Sequence, residues 1–336
     1  MLPPVRFGIR LLQHLGSPRE VIQLGVLAEE AGFDHAWFPS DKFMLHAWPL
    51  MVALAEHTRR IVVGPNGAEP YGMAPGEIAT GLATLDLLSG GRTALGLGMH
   101  TTQMIEWMGI PVRDRLTRLR ESVDVMRRLW RGEVVEYQGR EIRWSDQCYL
   151  RFRPLRDRIP IYLSGYERED LALTGELGDG SLPMVTPPES ARLMVERVYQ
   201  GARAAGRDPR EIDVCGCGWF SISADGRGTA TDALRDIVAY FGPYLDPEAL
   251  ATVGLDPAGF GEIGRLVAAR RYAEARARVT PGMLRLAVVG TPRDAIEQIE
   301  RLAAAGVTQV SVGGPLGPDP REAIRLFGKE IIPYFR

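Results

Sequence analysis

Ile61-Val62-Val63-Gly64-Pro65-Asn66-Gly67-Ala68-Glu69-Pro70-Tyr71, the Ala- and Leu-rich run 75–88, the break Ser89-Gly90-Gly91 and the second apolar run Thr93-Ala94-Leu95-Gly96-Leu97-Gly98 together decide the fold. A β-branched run ends in a polar turn, a helical run ends in glycine, and a second apolar run ends in Gly98-Met99-His100. That is a βαβ unit, because neighbouring parallel strands need a long crossover between them. Both polar turns lie at carboxyl ends of strands. Asn66, Glu69 and His100 are thereby placed where side chains from adjacent strands can converge on one ligand.

The same alternation extends to both sides. Upstream, residues 5–12 read as a strand and Gln13-His14-Leu15-Gly16 as its turn. Ser17-Pro18-Arg19-Glu20 reads as a capping box opening the helix 21–31. The strand 33–38 releases Pro39-Ser40-Asp41-Lys42-Phe43, and a helix covers 48–57. Downstream, residues 101–108 and 115–130 read as helices, and 133–153 as a polar excursion with a hairpin around Tyr137-Gln138-Gly139. Strands follow at 159–163, 180–184, 212–223 and 307–312, with helices at 170–177, 189–205, 229–240, 295–305 and 319–330. Residues 246–281 fit neither a strand nor a compact loop; they read as an inserted helical subregion that covers the strand ends as a lid. About eight strand–helix repeats in one 336-residue domain predict an α/β fold, a (β/α)8 TIM barrel with a helical insertion late in the chain. No Gly-x-Gly-x-x-Gly opens a helix after the first strand, which disfavours a dinucleotide-type doubly wound sheet.

Hydrophobic residues at 45% suffice for a core of this size, and a formal charge of −2 argues against nucleic acid or an anionic membrane as partner. The amino terminus lacks a signal-peptide pattern and no apolar run approaches spanning length, so a cytoplasmic protein is expected. Cys148, Cys215 and Cys217 form no disulfide framework and lack the further ligands of a zinc site; they are expected as buried thiols, Cys215 and Cys217 on one face of a strand. No metal is expected.

Trp37-Phe38-Pro39-Ser40-Asp41, the run 61–71 and Ala83-Thr84-Leu85-Asp86-Leu87-Leu88-Ser89-Gly90-Gly91-Arg92-Thr93-Ala94-Leu95-Gly96-Leu97-Gly98 resemble bacterial luciferase-like oxidoreductases. The likeness is strongest to their deazaflavin branch, which uses coenzyme F420. The tail from Gly290-Thr291-Pro292 to Gly313-Gly314-Pro315-Leu316-Gly317 is similar to methylenetetrahydromethanopterin reductases. The resemblance covers nearly the whole chain. It implies an F420-dependent oxidoreductase that exchanges hydride with a small organic substrate, and a homodimer. The alternatives are FMN as cofactor of a luciferase-like monooxygenase, or a non-catalytic flavin- or pterin-binding relative. It also implies a cis peptide bond after the third strand, at Asn66–Gly67, bulging against the cofactor ring. The chain departs from the family pattern at four places: Lys42 stands where several F420-linked relatives carry His, and Arg10 where the methanopterin reductases carry Glu. Thr101 stands where sugar-phosphate-oxidising relatives place Glu, and no Arg near Met99 grips a flavin phosphate.

Candidate roles follow from residue chemistry and position. Asp41 accepts hydrogen bonds from ring or ribityl groups, or caps a helix. Lys42 holds an anionic deazaflavin oxygen or acts as an acid, or is a solvated amine. His14 and His100 suit proton transfer, or are hydrogen-bonded structure. Glu69 binds substrate or donates a proton, or forms a salt bridge with an Arg. Asn66, Gly67, Ala68 and Gly98 border the cofactor ring. Ser164-Gly165-Tyr166 precede a helix, so their N–H groups suit a phosphate, or make a tight turn; Arg168 lies near for an acidic tail. Arg10 points into the barrel mouth or, the favoured reading, into a buried ion pair.

Overall fold

A computed structural model describes residues 4–12, 15–98, 102–226 and 229–336 of the protein. His14, His100, Met99 and Thr101 lie outside the described residues. Eleven strands are present among them: β1 (Arg6–Arg10), β2 (His35–Pro39), β3 (Val62–Asn66), β4 (Leu95–Gly98), β5 (Tyr137–Gln138), β6 (Arg143–Trp144), β7 (Ile161–Ser164), β8 (Gly180–Ser181), β9 (Asp213–Ile222), β10 (Ala287–Gly290) and β11 (Gln309–Leu316). Helices follow nine of these strands in chain order, all but those of the β5–β6 hairpin. They begin with Pro18–Glu30 after β1, Ala47–His57 after β2 and Pro75–Ser89 after β3, and end with Pro320–Leu326 after β11.

The chain divides into two compact units. One comprises His35–Leu182 and Arg197–Asp213. Its sheet is parallel. β2 pairs β3 from His35 opposite Val62 to Pro39 opposite Asn66, and β4 pairs β7 up to Gly98 opposite Ser164. β3 and β4 are joined by bridges at Val63–Thr93 and Ala68–Leu97, and β8 adds to β7. The carboxyl ends of β2, β3, β4 and β7 therefore finish side by side in that order. Trp37, Ile61, Ile78, Leu82 and Trp130 are fully buried, and the Trp130 indole N–H donates to Ala79 O at 3.1 Å, tying the helix Arg115–Trp130 to Pro75–Ser89.

The polar excursion forms the expected hairpin, β5 against β6, with Tyr137 opposite Trp144. Its turn is pinned from below. The buried Glu121 carboxylate accepts from the N–H groups of Arg140, Glu141 and Ile142 at 2.7, 3.0 and 2.7 Å. Nothing in the spacing of Glu121 within its helix signals that role.

The other unit comprises Met1–Asp34, Pro183–Glu196 and Val214–Arg336. β11 lies between β1 and β9, with Gly8 opposite Ser311 and Ser311 opposite Cys217, and β10 pairs the far end of β9. β10 is a strand that the sequence reading omits. Ala-Val-Val-Gly is too short to show alternation, and it follows directly on the 3-10 turn Met283–Leu286. The capping boxes at Ser17/Glu20 and Thr291/Asp294 are both formed. Residues 246–281 hold three helices, Pro247–Thr252, Pro257–Ala268 and Tyr272–Ala277. Phe260, Ile263, Ala275 and Val279 are buried there, and Arg276 bridges Asp232 at 2.6 Å and Asp236 at 3.1 Å on the helix Thr229–Phe241. The segment's apolar face is spent on that helix.

Candidate functional site

Each residue of the candidate site enters from a strand end in the unit that holds β2, β3, β4 and β7. Beyond β2, Ser40 N–H donates to Asn66 O at 3.1 Å, so the two chains stay joined one step past the sheet. Asp41, Lys42 and Phe43 follow in a turn. Beyond β3, Gly67 takes φ 78°, the left-handed region that glycine enters without a Cβ penalty. The chain then returns alongside β4: Ala68 N–H donates to Gly96 O at 2.9 Å and Gly98 N–H to Ala68 O at 3.0 Å.

The Asn66–Gly67 bond is not cis. Among the described residues the one cis peptide is Gly314–Pro315. The expectation of a cis bulge at Asn66 is corrected. The positive φ of Gly67 turns the chain, and a non-proline cis bond at about 2.5–4 kcal/mol is avoided.

Lys42 Nζ and Glu69 Oε1 stand 2.6 Å apart, with the side chains 20% and 5% exposed. The Glu69 carboxylate also accepts from Tyr71 N–H at 2.9 Å and from Gly72 N–H at 2.9 Å and 3.0 Å. The partner is thus a lysine, not the arginine considered from sequence. Two backbone N–H donors and the Lys42 amine converge on this carboxylate, so it is built to accept. The turn needs glycine at 72, where a Cβ would stand 2.5 Å from Glu69 Oε1 and 3.2 Å from Lys42 Nζ. Asp41, Lys42, Glu69 and Ala68 border a cavity of about 90 Å³ together with Ser40 and Phe43.

Three side-chain oxygens at these strand ends are buried without a hydrogen-bond partner: Ser40 Oγ after β2, Asn66 Oδ1 on β3 and Ser164 Oγ on β7. A buried polar atom left unpaired costs about 1–3 kcal/mol. Native structures hold few such atoms, and three of them at the ends of β2, β3 and β7 suit a ring with hydrogen-bonding edges. Sequence reasoning assigns Ser40 no role; a small hydroxyl at a strand end is the only signal it carries.

The turn Ser164-Gly165-Tyr166 is less welcoming to a phosphate. The helix Arg168–Leu177 behind it carries Glu167 as N-cap and Glu169 and Asp170 in its first turn, and Arg115 binds both Glu167, at 3.0 Å, and Asp170. Burial pushes the Asp170 carboxyl above its ordinary range, with Arg115 opposing. The positive helix end already faces carboxylates.

In the unit with β1, Arg10 is 4% exposed and donates to Ser311 Oγ at 3.2 Å, Met184 O at 2.5 Å and Pro183 O at 2.5 Å. The favoured ion pair is not formed: no carboxylate bridges Arg10 among the described residues, because two backbone carbonyls take its N–H groups. Cys215 and Cys217 are buried and form no disulfide, as expected, their sulfurs 3.6 Å apart; Cys148, also expected to be buried, is only half-buried. Burial works to raise the Cys217 thiol pKa, but the Cys215 hydrogen bond and the Arg10 charge outweigh it and hold the thiol below its ordinary value. Among the described residues no cluster of His, Cys, Asp and Glu suits a metal ion, and no helix is long and apolar enough to cross a membrane.

Comparison with known proteins places this geometry. Residues 4–309 match the family described as luciferase-like monooxygenase. A 5,10-methylenetetrahydromethanopterin reductase of Archaeoglobus fulgidus is 33% identical over 98% of this chain and 99% of its own length. An F420-dependent glucose-6-phosphate dehydrogenase of Microbacterium testaceum is 28% identical over 100% and 99%. The solved coenzyme F420-dependent tetrahydromethanopterin reductase of Methanopyrus kandleri superposes with a TM-score of 0.90 at 31% identity, covering 99% of this chain and 100% of that one. The (β/α)8 TIM-barrel fold is the fold of this chain.

Proposed function

The chain belongs to the luciferase-like monooxygenase family, and from that premise we propose that it is an F420-dependent oxidoreductase exchanging hydride with a small organic substrate. The observation that carries the cofactor's place is the row of unpartnered buried oxygens on Ser40, Asn66 and Ser164. These atoms fit a ring with hydrogen-bonding edges. Asp41, the backbone at Gly67, Ala68 and Gly98, and the turn Gly165-Tyr166 complete the cradle around them. Bound there, the deazaflavin supplies the hydride chemistry.

The protein's own part is positioning and proton handling. Lys42 Nζ gives a proton to a substrate heteroatom as the neighbouring carbon is reduced, and takes it back in the reverse direction. Glu69, held by the Tyr71 and Gly72 N–H groups, fixes where that ammonium stands. His14 and His100 are retained as candidates for the same proton path. FMN is the competing cofactor, since relatives that use it share the fold.

The test is the cofactor itself. Protein purified from an F420-producing host should carry a bound chromophore with the absorption and mass of F420; bound FMN would support the monooxygenase reading instead. We further read the protein as a cytoplasmic homodimer. The exposed Val52 on the helix Ala47–His57 and Leu87 and Leu88 on Pro75–Ser89 support that reading, and light scattering at twice the chain mass would establish it.

A further inference from the structure

Three non-glycine residues among those described have positive φ: Phe43 at 64°, Arg270 at 60° and Leu316 at 74°. Two are accounted for by the fold. Arg270 follows the helix Pro257–Ala268, where the Arg271 N–H returns to Leu266 O at 2.9 Å, the usual left-handed helix stop. Leu316 is fully buried at the end of β11, where packing holds it. Phe43 has neither reason. Its turn asks for glycine or asparagine, and it leaves 78% of an aromatic residue exposed. Strain and apolar exposure together, next to Lys42 and on the border of the Lys42–Glu69 cavity, are costs that a ligand contact would explain.

We infer that Phe43 is a specificity residue that packs against a flat apolar ring of the substrate, beside the Lys42–Glu69 pair. The inference deepens the oxidoreductase reading and rests on it for what the ring's reactive group meets. Two further observations agree. Trp107 and Met108, after β4, are also exposed large apolar side chains at a strand-end connection of this unit. The cavity border is unsuited to a phosphorylated sugar: Lys42 is engaged by the Glu69 carboxylate, and Asp41 adds a second carboxylate to the lining.

The experiment uses F420-loaded protein, with quinoxaline as the flat-ring probe and glucose 6-phosphate as the polar anionic one, read by ligand-observed NMR. Phe43→Asn removes the ring while keeping a residue that tolerates this backbone; Phe43→Tyr keeps the ring. The inference expects quinoxaline to bind and glucose 6-phosphate not to. Phe43→Asn should weaken quinoxaline at least fivefold with the melting temperature and F420 affinity held, and Phe43→Tyr should stay near wild type. Absent quinoxaline binding, binding indifferent to Phe43→Asn, or preferred binding of glucose 6-phosphate would overturn it. Failure of F420 to bind, with quinoxaline still lost in Phe43→Asn, would remove the cofactor reading and leave the ring contact standing. Failure of both would remove both.

Discussion

Arg10 and Lys42 are the two cations nearest the ends of β1 and β2, and they are used in opposite ways. Arg10 is buried and spent: two carbonyls and a hydroxyl take its donors. Lys42 is part-exposed, meets a single carboxylate, and borders a cavity also lined by Ser40, whose buried Oγ has no partner. Satisfied polar burial marks structure, whereas unsatisfied burial beside a proton-bearing group marks a site. The difference separates what the fold needs from what a ligand would complete.

The contrast breaks first at Arg10. Arg10→Met leaves Pro183 O, Met184 O and Ser311 Oγ unpaired, and should cost about 2–5 kcal/mol of stability in urea unfolding. Lys42→Met should do the reverse. Stability should fall by less than in Arg10→Met, since Glu69 keeps its Tyr71 and Gly72 N–H donors, while turnover on whichever substrate is found falls about 100-fold, about 2.7 kcal/mol. An Arg10 variant that unfolds like wild type, or a Lys42 variant that turns over normally, would erase the distinction.

Asn66→Ala and Ser164→Ala sharpen it. Each removes a buried polar atom that nothing pairs, so the melting temperature should hold or rise, yet F420 affinity should fall by about 0.5–1.5 kcal/mol, the worth of one neutral hydrogen bond. The smallest effect concerns Asp170. Its folded-state pKa is raised by burial, so the stability it contributes is full below the ordinary carboxylate value of 3.8 and is lost as pH rises through the elevated value. Urea midpoints for wild type and Asp170→Asn, compared from acid to neutral pH, should converge at neutral pH less well than in acid, with the variant relatively more stable at the upper end.

Much of this was legible beforehand because it is periodic or local. The alternation from β1 to β11, the hairpin at Tyr137 and the boxes at Ser17 and Thr291 depend on near neighbours in sequence. The strand-end positions of Asp41, Lys42, Asn66 and Glu69 followed from the same alternation. The partners did not. Lys42 meets Glu69 across 27 residues and Arg10 meets Pro183 across 173, and nothing in either segment names the other. β10 escapes a sequence reading because four residues carry no period, and the cis bond expected at Asn66–Gly67 is not formed because Gly67 offers a less costly way to turn.

The central claim is that the strand-end site takes a deazaflavin. Fluorescence-quenching titration of the cofactor-free protein with F420 and with FMN tests it most directly. The account predicts F420 binding at least tenfold tighter, about 1.4 kcal/mol. Equal affinities, or FMN bound more tightly, would contradict it.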